Sequence, residues 1–433
     1  MKKVKIFLMA ISCLVFLIPS LMANGLNLNS LGTKALTMGG AFVGLADDFS
    51  AIFWNPAGIA HFDKKYFGFY GTDIIPSGTY EFSIGAVPVV DAKTVTKNYL
   101  GGMATYYYPI NEKVVVGFGV YTPSGLGAEW DGKDFAGVAA NNPNLDWHSK
   151  IGLVTFAPAI ALSLNEKISF GAALNINYGM FDVAFHAGKA EDYGVDLGQY
   201  EESMKGWGFG ATFGILVQPS EMFSIGATFR TPSKVSFKGD ASIPNLSLIG
   251  AVMGMQLSPS SDLDREVIWP MWLAAGVAVK PIESLTLTAD VQFTQWSKID
   301  VIETDYTDPF WQYLMKGEQE RPMHWTDTIQ FRLGAEYRLK AWAFRAGYYW
   351  DPSPAPDKTM NVLLPSFDFN AVTAGIGYSL DALQIEFGVE YLMGKERTVD
   401  FLKTEFDPEW ETAMPGTYNM KVIVPNLSIS YRF

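Results

Sequence analysis

The chain has 433 residues, 48% of them hydrophobic and 14% aromatic, with 41 glycines and a formal net charge of −13. That acidic balance argues against nucleic acid as a partner, because phosphates are held by Lys and Arg. Length alone would suggest two or three soluble domains. A mean hydropathy of +0.10, with many aromatics on short spaced segments, suits a membrane β-barrel better.

Residues 1–23 have the three parts of a secretory signal: Lys2, Lys3 and Lys5, the apolar run Ile6 to Ile18, and Met22-Ala23 before the cut. The apolar run falls short of the ~20 residues that a spanning helix needs. Removing this leader takes the net charge to −16 and removes Cys13, the sole cysteine. No disulfide framework and no thiolate metal site is therefore expected. Asn24 to Phe62 comes next, rich in small residues (Gly32, Ala35, Gly39, Gly40, Ala41, Gly44, Ala46) and poor in strand patterning. Such a stretch can pack inside something larger but cannot make a domain. We read 24–62 as a hatch, or plug, and 63–433 as the barrel around it.

From Lys64 onward the chain alternates. Ile168, Phe170, Ala172, Leu174, Ile176, Tyr178 and Met180 fall on one face; Ser169, Gly171, Ala173, Asn175, Asn177 and Gly179 fall on the other. The same pattern recurs at Leu285–Phe293 and Leu383–Tyr391. Fourteen segments are expected, near 65–73, 99–109, 113–121 (or on to 130), 149–164, 167–185, 206–217, 222–238, 268–280, 285–302, 326–339, 342–350, 368–380, 383–394 and 417–433. Tight turns join them in pairs at Asn111-Glu112, Asn165-Glu166, Pro219-Ser220, Glu283-Ser284, Leu339-Lys340 and Asp381-Ala382, and long connectors separate the pairs. Short turns on one side and long loops on the other is the outer-membrane arrangement. An even strand number puts both chain ends at the periplasmic side, where a plug would enter. The last segment alternates Leu427, Ile429, Tyr431 and Phe433 with Ser428, Ser430 and Arg432, and its terminal Phe433 resembles the signal read by the barrel-assembly machinery.

No catalytic constellation stands out. His61, His148, His186 and His324 lack metal-ligand spacing, and neither a nucleophile elbow nor a P-loop occurs. No enzyme activity, metal or cofactor is expected. The informative oddity is apolar residues in long connectors: Leu246, Leu248, Ile249, Val252, Met253, Met255 and Leu257 in one, then Phe310, Trp311, Tyr313, Leu314 and Met315 in the next. These either pack on each other as a lid or form a groove that collects a hydrophobic molecule. Charges expected on the lumen side, Arg230, Asp290, Arg332, Glu336, Glu386 and Glu390, are read as pairing with one another or with the plug.

Several motifs in order resemble the FadL/TodX hydrophobic-compound transporters of Gram-negative outer membranes. Gly39-Gly40-Ala41 through Ala46-Asp47-Asp48 to Asn55-Pro56-Ala57 looks like the family's hatch. Ser124-Gly125-Leu126 before Glu129-Trp130 resembles its kinked third strand. Gly206-Trp207-Gly208-Phe209-Gly210 resembles its sixth strand, and Asp351-Pro352-Ser353-Pro354-Ala355-Pro356 its proline-rich loop entry. The resemblance implies a monomeric fourteen-stranded antiparallel outer-membrane barrel, in contact with outer-membrane lipid and lipopolysaccharide. It further implies passive transport of a hydrophobic small molecule, caught by the extracellular loops, gated by the hatch and released sideways through the wall. Asn55, Pro56 and Ala57 would then hold the hatch, and Pro123, Gly125 and Leu126 would mark the wall gap. Polar head-group contacts would fall to His186 and Lys316. The family's fatty-acid branch carries a basic residue near the end of the fifth strand. Here that stretch reads Asp182-Val183-Ala184-Phe185-His186, which leaves fatty acids and neutral or aromatic hydrocarbons both open. The rivals are a polar-pore porin and an adhesive or structural barrel.

Overall fold

A computed structural model describes residues 25–190, 195–315, 319–410 and 412–433; the leader expected at 1–23 lies outside them. Fourteen antiparallel staves form a closed barrel. The first (Tyr66–Ile84) pairs with the last (Gly416–Arg432) from Tyr66↔Arg432 to Glu81↔Thr417, which removes the free edges that hydrocarbon could not satisfy. Among the described residues no helix is long and apolar enough to cross a membrane. The wall crosses with strands instead.

Alternation sets the two faces. In the fifth stave (Ile168–His186), Phe170 and Leu174 point outward and are exposed, while Ser169, Asn175 and Asn177 are buried inward. The last stave repeats this, with Leu427, Ile429 and Tyr431 outside and Ser428 and Ser430 inside. Short turns fall at Glu112-Lys113, Glu166-Lys167, Glu221-Met222, Glu283-Ser284, Lys340-Ala341 and Asp381-Ala382. Several therefore start one or two residues later than the sequence suggests. At Asn111 and Asn165 the cause is visible: each Asn Oδ1 accepts from the backbone N–H two and three residues on, so the side chain opens the turn and the Asn itself ends the strand.

Other boundaries differ for equally local reasons. The first stave runs on to Ile84, past Pro76, and carries a second hairpin strand (Val87–Lys93) that alternation did not reveal. The sixth begins at Gln199 rather than near 206. The seventh is interrupted between Phe223–Arg230 and Ser233–Ser242, and the eighth between Ser260–Trp269 and Trp272–Ile282. Both breaks hold a proline, Pro232 and Pro270, which has no N–H for the ladder. The expected 285–302 segment ends at Thr294, and a short turn of helix (Trp296–Lys298) intervenes before Val301–Tyr306.

The barrel is closed at both levels. Every residue from Ser30 to Ala60 except Asp47 is buried, which is what a segment unable to fold alone requires of its surroundings. It holds two short helices, α1 (Thr33–Thr37) and α2 (Ala51–Trp54), and a 3-10 turn, Pro56–His61. Above it, the connector following Asp351 dips into the barrel mouth, burying Met360, Val362, Leu363, Leu364 and Phe367 against Trp130, Phe135 and Trp147. The Trp130 indole N–H donates to the Val362 carbonyl at 2.9 Å.

Candidate functional site

The hatch is fixed to the wall by polar bonds at points of very close approach. Asn55 is fully buried. Its Nδ2 donates to the carbonyls of Val43 (2.9 Å) and of Ile215 in the wall (3.0 Å), and its Oδ1 caps the following turn by accepting from Ala57 N–H at 3.1 Å. Pro56 opens that turn, where its missing N–H is harmless. Three wall glycines make room: a Cβ at Gly171 would lie 2.1 Å from the Pro56 carbonyl carbon, one at Gly214 2.0 Å from Asn55 Oδ1, and one at Gly226 2.1 Å from the Val43 oxygen. The structure thus brings Asn55, Pro56 and Ala57 together against the fifth, sixth and seventh staves.

The lumen charges pair as their types suggest. Asp290 Oδ2 accepts from the N–H groups of Phe42 and Val43, at 2.8 and 2.9 Å. Arg230 donates to the Phe53 carbonyl at 2.8 Å and lies over the Phe53 and Trp272 rings. Arg345 joins Glu336 (2.6 Å) to Glu386 (2.7 Å). Within the hatch, Asp48 Oδ1 accepts from the N–H and hydroxyl of Ser50, while Oδ2 has no partner. Burial, followed by the charge of Glu386, pushes this carboxyl up to about 7.

Between hatch and upper loop lies a cavity of about 510 Å³, and it reaches the wall at a split between two staves. The second stave (Tyr99–Asn111) and third stave (Val114–Trp130) pair only from Met103↔Tyr121 toward the short-turn end. Farther up, the only stave that Tyr99 to Gly102 pair with is the first, and the only one that the third stave pairs with from Ser124 onward is the fourth (Trp147–Asn165). The register of the third stave slips between Tyr121 and Ser124, so the interruption falls at Thr122-Pro123. Gly125 lies two residues beyond it and lines the cavity. A bridge between Thr94 and Trp130 bounds the split above. Below, the Gly102 N–H donates to the Thr122 hydroxyl at 2.9 Å. The result is a window in the wall, rimmed by Leu100, Gly101, Gly125 and Gly127.

The first residues of the hatch segment sit behind this window. Leu28 N–H donates to the Pro123 carbonyl (3.0 Å), and Gly125 N–H to the Leu26 carbonyl (3.2 Å). Ser124 Oγ bonds Asn27 Oδ1 at 3.0 Å and accepts from the Trp269 indole at 2.8 Å. The Leu28 side chain fills the space between the rims: ideal Cβ atoms at Gly101 and Gly125 would lie 3.6 and 3.8 Å from its methyl groups. Sequence reasoning missed Leu28 because a single Leu between Asn27 and Asn29 has no periodic signal. Its role comes from contact with a strand about a hundred residues away.

The remaining expected residues are dispersed. Asn245–Met253 and Pro309–Leu314 are helices of the outer cap. Leu246, Ile249, Leu257, Trp311 and Met315 are buried in the cap, Phe310 and Leu314 are partly buried against it, and Leu248, Val252 and Met255 are exposed. None of the described members of this group lines the cavity. The Trp311 indole donates to the Ser258 carbonyl at 3.0 Å, which ties one loop to the other. His186 Nε2 lies 2.7 Å from Asp196 Oδ1, away from the cavity. Lys316 and the side chains of Leu126 and Met253 lie outside the described residues. Among the described residues no group of His, Asp and Glu could hold a metal ion.

A family model described as outer membrane protein transport protein (OMPP1/FadL/TodX) matches residues 15–433. The long-chain fatty acid transport protein of Salmonella typhi is 23% identical over 430 residues, covering 91% of this chain and 93% of that protein. Outer membrane protein P1 of Haemophilus influenzae is 22% identical over 413 residues, covering 85% and 86%. Among solved structures, a Pseudomonas aeruginosa FadL homologue shares the fold at a TM-score of 0.76 and 18% identity, with 95% of this chain and all of that one (100%) covered. The toluene transporter TodX of P. putida does so at a TM-score of 0.72 and 17% identity, covering 94% and 99%.

Proposed function

This chain belongs to the OMPP1/FadL/TodX family of outer-membrane transport proteins, and from that premise we propose that it carries hydrophobic small molecules through a closed wall by lateral release. The relatives point to long-chain fatty acids and monoaromatic hydrocarbons as the substrate range. Exposed Leu248, Val252 and Met255 on the outer cap serve as a first contact surface for the ligand. It then occupies the cavity under the upper loop, and release follows when the segment carrying Leu28 leaves the window. Membrane-facing surface surrounds that window, so the ligand never crosses water. Exposing apolar surface costs about 25 cal/mol per Å², and a water-filled pore would impose that cost along the whole path. Assembly of the barrel is read as beginning from the last stave, whose Phe433 ring is exposed and packs edge-on to Tyr431.

One observation carries this reading: a single cavity touches both the start of the hatch segment and the window rim. Gly125→Trp tests it. An added Cβ at 125 meets only Leu28, at ordinary contact distance, so a large side chain can occupy the window without breaking the wall. Uptake of a labelled hydrophobic substrate by cells should stop, while the barrel still folds as judged by its heat-dependent gel mobility. Undiminished uptake would rule out this window as the exit.

A further inference from the structure

The cavity's charged lining is lopsided. Lys150 stands at the outer rim and is exposed. At the inner end stand two carboxylates, Asp351 and Glu390, both buried. Glu390 Oε1 accepts from the Tyr349 hydroxyl at 2.5 Å, and its Oε2 makes no hydrogen bond to any described residue. Asp351 Oδ1 accepts from the Gln330 amide. Arg332 is the nearby cation, but it does not line the cavity. Its guanidinium stacks on Tyr349 at 4.3 Å and donates to Gln330 Oε1 at 2.8 Å and to the Gly39 carbonyl at 3.1 Å. The guanidinium beside Glu390 is therefore already engaged by the hatch. Tyr70, fully buried and also part of the lining, has a hydroxyl with no hydrogen-bond partner.

An ionised carboxylate is acceptor-only, so the inner end offers acceptors and one unpaired phenol to whatever sits there. Resting on the reading that this cavity holds the transported molecule, we propose that it selects apolar ligands bearing a hydrogen-bond donor, a hydroxyl or an amine, and disfavours carboxylates, with Glu390 as the specificity-determining residue. A donor pairs with Glu390 Oε2 in a charge-assisted bond. A ligand carboxylate in the same place leaves like charges juxtaposed at low dielectric, which is strongly unfavourable.

Titration calorimetry on the purified full-length barrel in detergent, at mildly alkaline pH, tests this with octanol, octanoate and toluene. Octanol should bind at least about ten-fold more tightly than octanoate. Glu390→Gln should bring the two within a few-fold, chiefly by improving octanoate. Asp351→Asn serves as a second variant should the first fail to fold, and it is expected to shift the ratio in the same direction. Equal affinities in the wild-type protein, or a ratio that neither variant moves, would overturn the specificity assignment while toluene binding left the transport reading intact. Failure of all three ligands to bind would overturn both. A preference for octanoate lost on Lys150→Ala would place the selective group at the rim and count against Glu390.

Discussion

Asn55 ties the hatch both to itself and to the wall through one amide. Leaving a buried donor or acceptor unsatisfied costs about 1–3 kcal/mol per group, so loss of this side chain weakens docking alongside the other hatch–wall bonds, such as those of Asp290 and Arg230. Asn55-Pro56-Ala57 is legible in the sequence as a contiguous motif resembling the family's hatch, and the structure adds that the asparagine is an N-cap and the proline opens the turn. Leu28 and the close approaches at Gly171, Gly214 and Gly226 are not legible in sequence, because each depends on what lies opposite in space. Asp48 gives the hatch a pH dependence. Its carboxyl is raised to about 7 in the docked state and takes an ordinary carboxylate value once the hatch opens to water. A raised acid favours the docked state fully below that ordinary value, and the advantage is lost as pH rises through about 7. Hydrogen exchange of hatch amides, corrected for intrinsic rates, should therefore show protection falling about ten-fold over the two pH units centred there. In Asp48→Asn the profile should be flat.

Strand alternation and tight turns made the staves readable as elements, because a lipid-facing wall imposes period two on nearly every segment. The reading broke down where the wall itself is irregular. Beyond Tyr121 the third stave loses its second-stave partner, and what marks the place locally is Pro123 with Gly125 two residues on, the stretch that the resemblance assigns to the wall gap. The apolar connectors were also ambiguous. Leu246 and Ile249 sit at helical spacing and bury one face of a cap helix, while Leu248 and Val252 on the same helix remain exposed. In the proposed path, residues 25–29 at the start of the hatch segment serve as the stopper. Leu28→Ala removes the side chain between the window rims but keeps the backbone bonds to Pro123 and Gly125. It should speed dissociation of bound ligand several-fold, measured by stopped-flow release, without changing hatch-amide protection. An unchanged off-rate would show that the side chain does not obstruct the path.

Among the described residues the molecule is sealed twice across its axis, by the hatch below and by the loop after Asp351 above, and the window in the wall lies between the two seals. A purified sample in planar bilayers should pass almost no steady current, whereas deletion of residues 25–62 should yield a large one. A large steady conductance from the intact protein would favour a polar pore instead. The stopper's attachment also limits how long the side door can stay ajar. Leu28 and Leu26 bond to the third stave as a neighbouring strand would, through the Pro123 carbonyl and the Gly125 N–H. When they leave, that rim faces hydrocarbon with no water to replace them, at several kcal/mol for each unsatisfied group. On the proposed path an opened window is thus a high-energy edge whose dwell time is short, and each opening would pass a ligand already waiting behind it or close again. Throughput is then set by occupancy of the cavity, so an extended peptide matched to the Thr122–Gly127 edge would act as an inhibitor by prolonging the wrong partnership.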